Sequence, residues 1–183
     1  MKFKSTVMNQ EEINRTLIRL AHQILEKNDG AKDICLIGIK TRGVPLANRI
    51  AANIEKIEHV KVDTGTLDIT LYRDDLSKIN PDPVVNDTHV PFSIEGRTVI
   101  LVDDVIFTGR TARAALDALM ALGRPGKVQL LELIDRGHSQ LPIRANYVGK
   151  NIPTSLNEVV MVQLEETDGV NNVVIKEIEE ELQ

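Results

Sequence analysis

The stretch Val99-Ile-Leu-Val-Asp-Asp-Val-Ile-Phe-Thr-Gly-Arg-Thr111 carries the strongest indication of the fold. It begins within an apolar run, Thr98–Val102, which predicts a strand buried on both faces of a sheet. Two carboxylates follow this strand, and the Thr-Gly-Arg-Thr turn then opens a predicted helix, Thr111–Leu122, that ends at Gly123. Ligands of open α/β sheets bind at the carboxyl ends of the strands, so the stretch also predicts a binding site.

Two similar strands are predicted elsewhere in the sequence. Ile34–Ile39 is apolar throughout and is followed by a turn, Lys40–Gly43, and by a helix predicted over Val44–Ile57. Val128–Ile134 predicts a third buried strand. Strands and helices that alternate in this order form parallel sheets with right-handed connections, so the predicted fold class is α/β.

The remaining segments complete the predicted order of elements. Apolar residues at three- and four-residue spacings predict an amphipathic helix over residues 10–28, with Asn9 and Glu12 as its capping residues. Arg73–Gly96 contains three prolines and no periodicity, which is typical of a long mobile arm or lid. Further short strands are predicted at Val60–Val62, Leu67–Tyr72, Val159–Leu164 and Asn172–Ile175.

The composition limits the class of protein. A chain of 183 residues, 42% of them hydrophobic, suits a single domain with a sizeable core. The one cysteine, Cys35, excludes a disulfide framework and a multi-cysteine zinc site, and we expect it to be buried rather than nucleophilic. The longest apolar runs are far shorter than the roughly 20 residues that span a bilayer. We therefore expect a cytoplasmic protein.

The net charge of −5 argues at first against a nucleic-acid partner. Its distribution weakens that argument, because residues 165–183 hold seven acids and one base, a local charge of −6. Residues 1–164 therefore sum to +1. The body of the chain is free to carry a basic face.

The turn Thr108–Thr111 has the chemistry of a phosphate site. A glycine-containing turn at a helix N-terminus offers unpaired N–H groups and the positive end of the helix dipole, and the threonine hydroxyls add donors. Asp103 and Asp104 would repel a phosphate, so they should face another part of the ligand, such as ribose hydroxyls. The alternative, from the residues alone, is an ordinary strand-to-helix turn with a solvated aspartate pair.

The 13 residues from Val99 to Thr111 closely resemble the phosphoribosyl-pyrophosphate (PRPP) motif of type I phosphoribosyltransferases. Gly38–Gly43 is similar to the pyrophosphate loop of that family, whereas a nucleotide P-loop would require lysine at the position of Val44. The resemblance implies that Asp103 and Asp104 are the catalytic residues, which hold the ribose hydroxyls and stabilise positive charge at C1′. It implies PRPP binding by Thr41, Arg42, Gly43, Arg73, Thr108, Gly109, Arg110 and Thr111. Mg²⁺ is the implied cofactor, bound mainly through PRPP rather than by protein ligands.

Three longer stretches narrow the resemblance: Leu67–Leu76, Asp135–His138 and Leu141–Ser155. With the two motifs, they resemble the bacterial pyrimidine operon attenuation regulators that are also uracil phosphoribosyltransferases, over about Asn9–Val174. This resemblance implies a type I phosphoribosyltransferase fold, in which helices flank a parallel sheet with a small hood and a mobile β-arm, and a homodimer or higher homo-oligomer. The domain then divides into a core of about 9–135, a hood with C-terminal strands of about 136–175 and an acidic tail of 176–183.

The implied reaction converts uracil and PRPP to UMP and diphosphate. Purine-using relatives have an aspartate where this chain has Phe107, which disfavours purines; orotate or a purine is the alternative substrate. Arg136 would donate to a uracil carbonyl, although it could instead pair only with Asp135 or Glu132, and Tyr147 could be an ordinary core residue. The residues implied at the base site are Phe107, Arg136, Tyr147 and Val148.

The resemblance implies a second function, which is UMP-strengthened binding to a hairpin in the leader of pyrimidine biosynthetic mRNA, promoting transcription termination. Family members usually have arginine at the position of Ser139 and a hydroxyl residue at that of Ile18. The alternatives are a transferase with weak RNA binding, a PRPP sensor without catalysis, and a merely solvated basic face. The candidate RNA contacts are Arg15, Arg19, His22 and Lys27 in one strip and His138, Arg144 and Lys150 in another.

Overall fold

The structure is a computed structural model that describes residues 1–74 and 86–178. The strands in these ranges are β1 (Lys2–Asn9), β2 (Ile34–Ile39), β3 (Asp63–Leu67), β4 (Thr98–Ile106), β5 (Lys127–Asp135), β6 (Tyr147–Asn151), β7 (Glu158–Gln163) and β8 (Asn172–Glu177). The helices are α1 (Gln10–Lys27), α2 (Gly43–Glu58), α3 (Arg110–Leu122) and α4 (Glu165–Asp168).

Five strands form a parallel sheet in the order β3-β2-β4-β5-β6. Every residue of β2 is buried, as its apolar sequence predicts. Side chains of α1 and α2 cover one face of this sheet, and side chains of α3 cover the other. The predicted α/β class and the three predicted buried strands are therefore confirmed. Cys35 lies in β2, and its burial raises the pKa of the thiol to about 11.

The hood is a second sheet, in which antiparallel strands lie in the order β1-β8-β7. Strand β1 was not predicted, because only Met8 is buried in it and two register shifts against β8 break its alternation. Strand β6 was also missed, since its last two residues are exposed. It falls in the predicted hood region but pairs with β5 in the main sheet. Buried residues of β7 and β8 join the core formed by α1 and α2.

Two predicted strands are wrong. Val60–Val62 is not a strand, and in place of the strand predicted over Leu67–Tyr72 the chain forms β3, Asp63–Leu67, followed by a 3₁₀ turn at Thr70–Tyr72. Backbone pairing with β2, rather than apolar side chains, stabilises β3. The Asp68 carboxylate accepts hydrogen bonds from the backbone and hydroxyl of Thr70, which favours a turn over a strand.

The starts of the helices differ in a way that matters for the site. Asn9 and Glu12 form a capping box at α1, in which each side chain accepts from the other residue's backbone N–H, at 2.9 and 2.8 Å. Helices α2 and α3 begin without any side-chain cap. First-turn N–H groups at both ends therefore remain available to a ligand, apart from that of Arg110, which donates to Thr108 Oγ1.

Part of the predicted mobile arm, Arg73–Gly96, lies outside the described residues, as does most of the predicted acidic tail. On the described side of the arm, His89 pairs with Thr66 of β3 through two backbone hydrogen bonds of 2.8 Å. None of the helices in residues 1–74 and 86–178 is long and apolar enough to cross a membrane.

Candidate functional site

Strand β4 carries both aspartates of the predicted catalytic pair. The sequence predicts that this strand ends at Val102. It continues instead through Ile106, because pairing with β5 extends beyond the apolar run. Successive side chains of a strand point to opposite faces. Asp103 therefore faces the α3 side of the sheet, and Asp104 faces the side covered by α2. The backbone N–H of Asp104 donates to Asp103 Oδ1 at 2.9 Å, which helps fix the orientation of the pair.

Burial dominates the electrostatics of this pair. Burial raises the pKa of Asp103 well above its ordinary value, and the charge of Asp104 raises it further. Burial also raises the pKa of Asp104, while the hydrogen bond with Asp103 and the positive charge of Arg42 act in the opposite direction. Without a ligand, burial therefore disfavours the ionised forms of Asp103 and Asp104. Hydrogen bonds from a ligand would favour these charged forms.

The turn before α3 forms one wall of a cavity of about 240 Å³. Gly109 has a φ of +91°, in the left-handed region that favours glycine, and it precedes the uncapped N-terminus of α3. The backbone N–H of Arg110, the first residue of α3, donates a hydrogen bond to Thr108 Oγ1 at 3.4 Å. The cavity is lined by Arg73, Asp74, Val105, Ile106, Phe107, Thr108, Gly109, Arg110, Thr111, Ala112 and Glu132.

The segment around Arg73 is held against α3 by two hydrogen bonds. Arg110 Nη1 donates to Asp74 Oδ2 at 2.8 Å, and Arg113 Nη2 donates to the Tyr72 carbonyl at 3.1 Å. These contacts hold Arg73 at the edge of the cavity. The charge of Arg73 opposes the rise in the pKa of Asp103. Arg73 therefore lies on the same side of the site as the α3 turn.

The Lys40–Gly43 turn lies against the middle of β4. A Cβ atom on Gly43 would collide with the Val102 carbonyl and lie 3.3 Å from Asp103 Cα, so only glycine allows this approach. The Lys40–Gly43 turn and the acidic pair of β4 therefore lie side by side. Arg42 is already paired: its Nε and Nη2 donate to the Asp168 carboxylate at 3.0 and 2.7 Å.

Phe107 and Arg136 lie together at the other side of the site. The Arg136 guanidinium carbon is 4.0 Å from the centroid of the Phe107 ring, and His138 meets the same ring edge-on at 5.7 Å. Arg136 is buried and donates to the Ser155 and Glu158 carbonyls and to Thr154 Oγ1. These bonds join it to the start of the hood rather than to Asp135 or Glu132. Its contact with a base would thus be through Phe107.

Tyr147 and Val148 do not join Phe107 and Arg136. The Tyr147 hydroxyl donates to Gln129 Oε1 at 2.8 Å and accepts from Asn28 Nδ2 at 3.0 Å, within the core beside α1. Its side chain is 3% exposed, which favours the alternative of a core residue. Val148 pairs with Glu132 in the middle of the β5–β6 ladder, before the end of the sheet.

The seven candidate RNA contacts are all exposed, but they lie on separate surfaces. Arg19 donates to the Gly149 carbonyl, so the exposed face of α1 meets the end of β6 beside Lys150. Lys27 lies over the Tyr147 ring, at the other end of α1. His138 instead bonds to the Thr154 carbonyl in the hood segment, and Arg144 is on the α3 side of the sheet. We call the joined surface, formed by Arg15, Arg19, His22 and Lys150, the α1 basic strip.

Two residues of the site, Glu132 and Asp168, were not predicted from the sequence. Glu132 lies beside Asp103 on the adjacent strand and lines the cavity. A lone acid within the apolar run Val128–Ile134 is a signal that could have found it. Asp168 belongs to α4, which lies in the acidic segment treated only as net charge, and no local pattern links it to Arg42.

Comparisons with known proteins agree with this geometry. Residues 5–167 match the family model described as phosphoribosyl transferase domain. Two curated relatives are named bifunctional protein PyrR. That of Deinococcus deserti is 56% identical over 177 residues, covering 97% of this chain and 97% of the relative. That of Chloroflexus aurantiacus is 60% identical over 169 residues, covering 92% of this chain and 93% of the relative.

Solved structures of hypoxanthine phosphoribosyltransferases show the same fold. The Trypanosoma cruzi structure has a TM-score of 0.73 at 20% identity and covers 97% of this chain and 98% of its own. The Staphylococcus aureus structure has a TM-score of 0.70 at 19% identity and covers 97% of this chain and 92% of its own. At these identities the likeness concerns the type I phosphoribosyltransferase fold alone. From the family match and its relatives, the chain belongs to the phosphoribosyl transferase domain family and, within it, to the bifunctional PyrR proteins.

Proposed function

We propose that this protein transfers the phosphoribosyl group of PRPP to uracil, giving UMP and diphosphate, and regulates pyrimidine operons by UMP-dependent binding to leader mRNA. One observation carries the transferase proposal. The aspartate pair of β4 is flanked by the uncapped N-terminus of α3 on one side and by the Lys40–Gly43 turn on the other. The relatives' name, bifunctional protein PyrR, is consistent with two activities.

Each part of PRPP has a proposed partner in this arrangement. The first-turn N–H groups of α3 and the hydroxyls of Thr108 and Thr111 hold the 5′-phosphate. Asp103 and Asp104 accept hydrogen bonds from the ribose hydroxyls, which lowers their raised pKa values and favours the charged forms. Their negative charge then stabilises the positive charge that develops at C1′ as the bond to pyrophosphate breaks. Arg73, at the edge of the cavity, is proposed to close over the pyrophosphate.

Mg²⁺ is expected to enter the site with PRPP. Within residues 1–74 and 86–178, no three His, Cys, Asp or Glu side chains are grouped so as to hold a metal ion. An ion that enters with PRPP would be coordinated mainly by pyrophosphate oxygens and water. The residues that would position it are those that hold the pyrophosphate, namely Thr41, Arg42 and Gly43. When bound there, the ion neutralises charge on the leaving group.

The proposed base site is the ring of Phe107, which lines the cavity and is in contact with Arg136 and His138. A phenyl ring packs on a base but cannot exchange a proton with it. This favours a pyrimidine, whose reacting nitrogen loses its proton with little help, over a purine. Val148 and Tyr147 lie in β6 and are given no direct contact in this proposal.

Incubation of the protein with labelled uracil, PRPP and Mg²⁺ tests the enzyme. We expect UMP and diphosphate in equal amounts, with hypoxanthine and orotate converted far more slowly in parallel reactions. No UMP from uracil would refute the proposed reaction, and faster conversion of another base would reassign the substrate. Binding of PRPP without conversion of any base would identify a PRPP sensor instead.

The RNA proposal rests on the α1 basic strip. Arg15 and His22 are exposed, and Arg19 and Lys150 adjoin each other across the α1–β6 contact, so four basic side chains share one surface. Basic side chains release counterions from RNA phosphates, which makes binding fall with salt concentration. Ser139 is exposed, and its hydroxyl donates to the Leu141 carbonyl, so it adds no positive charge. Ile18 is also exposed on α1.

Binding of a pyrimidine leader hairpin, measured with and without UMP and over a range of salt concentrations, tests this second function. We expect UMP to tighten binding to the hairpin and not to a scrambled RNA. Arg19→Gln should weaken binding and reduce the salt slope by roughly 0.7–0.9 for each RNA phosphate that the variant no longer neutralises. Arg124→Gln removes the same charge from an exposed site at the opposite end of the sheet and serves as the control. Equal binding to scrambled RNA would leave a transferase without RNA control.

Two further expectations belong to the proposal. The reaction uses PRPP and the regulation uses nascent mRNA, so we assign the protein to the cytoplasm. We also assign it a homodimer or higher homo-oligomer, as the family resemblance implies. Light scattering of the purified protein measures the oligomer, and a monomer at assay concentrations would remove that part of the proposal.

A further inference from the structure

Glu132 is a buried acid that the proposed reaction does not use. It lies in β5, paired in register with Asp103 of β4, and it is 2% exposed. Its Oε2 atom is buried and has no hydrogen-bond partner in the part of the chain that the structure describes. A buried polar atom without a partner destabilises the folded state. Such an atom is therefore expected to find a partner outside the protein.

The position of Glu132 indicates what that partner is. Its side chain lines the same cavity of about 240 Å³ as the Thr108–Thr111 turn. It faces the α3 side of the sheet, as Asp103 does, because residues paired in register on parallel strands share a face. The anion-binding N-terminus of α3 is on that side as well. The residue that carries the unpartnered oxygen thus borders the cavity in which the 5′-phosphate is proposed to bind.

The protonation state of Glu132 decides whether this contact is attractive. Burial raises the pKa of Glu132 well above its ordinary value, and three nearby carboxylates raise it further. An ionised carboxylate would also repel a phosphate in the same cavity. A neutral carboxylic acid, by contrast, has an O–H that can donate to a phosphate oxygen. The charged groups that face Glu132 or share its cavity are Asp103, Asp104, Asp135, Arg73, Asp74 and Arg110.

We propose that Glu132, as a neutral carboxylic acid, donates a hydrogen bond to an oxygen of the phosphate bound at the Thr108–Thr111 turn. The proposal rests on the proposed function, to which it adds one side-chain donor in the phosphate site. It has a consequence for ligand affinity. Loss of the proton converts the donor to a negative charge, so the phosphate site weakens as the pH rises through the pKa of Glu132.

Binding of UMP and of uridine, measured by calorimetry between roughly pH 5 and pH 9, tests this assignment. Uridine lacks the phosphate and so controls for changes in the rest of the site. Glu132→Leu removes the donor, and we expect its dissociation constant for UMP to rise about 10- to 100-fold at low pH, the range for a hydrogen bond to a charged group. Its affinity for uridine should stay within about twofold.

Glu132→Gln separates the donor from the titration. The amide keeps an N–H donor that cannot ionise, so we expect it to bind UMP far better than Glu132→Leu at low pH. The ionisation of UMP itself is common to both proteins. The ratio of the two dissociation constants, wild type over Glu132→Gln, should therefore rise with pH. A ratio that does not change with pH, or unaltered UMP binding by Glu132→Leu, would overturn the proposal.

Two controls make the outcome specific. Removal of a buried unpaired acid should raise the melting temperature of Glu132→Leu, so weak binding by this variant cannot be ascribed to unfolding. Glu26→Gln changes an exposed glutamate of α1 and should bind UMP as the wild type does. Inorganic phosphate used as the probe keeps the test independent of the reaction. If the wild type binds phosphate but makes no UMP, the transferase proposal fails while the role of Glu132 is still measured.

Discussion

The N-termini of α1 and α3 differ in whether a side chain caps their free backbone N–H groups. At α1, Asn9 and Glu12 satisfy the free backbone groups with their own side chains. At α3, Gly109 has no side chain to cap the helix, and the first turn lines the cavity that Glu132 also borders. A capped end stabilises the fold, whereas an uncapped end leaves donors for a ligand. The chain thus leaves backbone groups without a side-chain cap at the helix end where a ligand is proposed to bind, and five experiments test this difference.

The largest effect is expected from the acids next to the open end of α3. Asp103→Asn or Asp104→Asn keeps the shape of the side chain and removes the charge that stabilises C1′. We expect kcat/KM to fall by about 100-fold or more, as for the loss of one electrostatic group in other enzymes. Steady-state assays with uracil and PRPP measure it. Asp117→Asn, on the exposed face of α3, is the control, and activity within about twofold of wild type in both site variants would contradict the assignment.

The next effect concerns the conformation of the open end itself. Gly109→Ala places a Cβ at a φ of +91°, which costs about 1–2 kcal/mol for an L-residue and shifts the turn. We expect the KM for PRPP to rise about tenfold, measured with uracil saturating. Gly96→Ala also carries a positive φ, of +67°, and has no atom within 4 Å of the added Cβ. It should lose stability without a change in KM, and equal KM values for both variants would contradict the role of the turn.

A smaller effect is expected at the N-terminus of α2, where Arg42 has a partner in the protein. The bidentate contact with Asp168 uses Nε and Nη2 and leaves Nη1 for pyrophosphate. Asp168→Asn loosens this orientation, so we expect a severalfold higher KM for PRPP and an unchanged KM for uracil. Glu166→Gln, which removes the charge paired with Arg49 on the same helix, is the control. A lower KM for PRPP would mean that Asp168 competes with the substrate.

The contact between Arg42 and Asp168 should also make stability depend on pH. Hydrogen bonds from Arg42 hold the pKa of Asp168 below its ordinary value, so the folded state binds this proton less tightly than the unfolded state. The contribution of Asp168 to stability is therefore complete above the unfolded pKa, near 4, and is lost as the pH falls through the folded pKa. Urea unfolding at several acidic pH values should show a shallower loss of stability for Asp168→Asn than for wild type.

The smallest effect on function is expected at the capped end. Asn9→Ala removes the cap of α1, and we expect a loss of about 1 kcal/mol in the free energy of unfolding. For a chain of this size, the melting temperature should fall by about 2–4 °C. UMP binding should be unchanged, because the capping box lies in the hood rather than in the cavity. Asn14→Ala, in the exposed middle of α1, should not destabilise the protein.

Most of the fold was predictable because its strands are buried on both faces. Ile34–Ile39 and Val128–Ile134 are almost entirely apolar, and both are strands of the parallel sheet. Strand β3 was not predictable from its side chains, because Asp63-Thr-Gly-Thr-Leu67 is stabilised by backbone pairing with β2. Strand β1 was missed for a related reason, since its partner β8 lies at the far end of the sequence.

The candidate site also has a part that was predictable from the sequence and a part that was not. The acidic pair and the two turns are local motifs, and the structure brings them together at one edge of the sheet. The partners that set their properties are distant in sequence: Glu132 reaches Asp103 through strand register, and Asp168 reaches Arg42 from the hood. Arg136 was expected to donate to the base, but its Nε and Nη2 donate to Thr154, Ser155 and Glu158. Contacts of this kind depend on tertiary packing and leave no local pattern.

The hood sheet has a consequence for how the protein folds during synthesis. It joins Lys2–Asn9 to Asn172–Glu177, so β1 cannot pair with β8 until β8 has been synthesised. The strands of the parallel sheet emerge from the ribosome earlier than β8. Asp168 also emerges late, and its carboxylate is the partner of Arg42. A ribosome-bound chain therefore lacks both the hood sheet and the Arg42–Asp168 contact until translation has passed these residues.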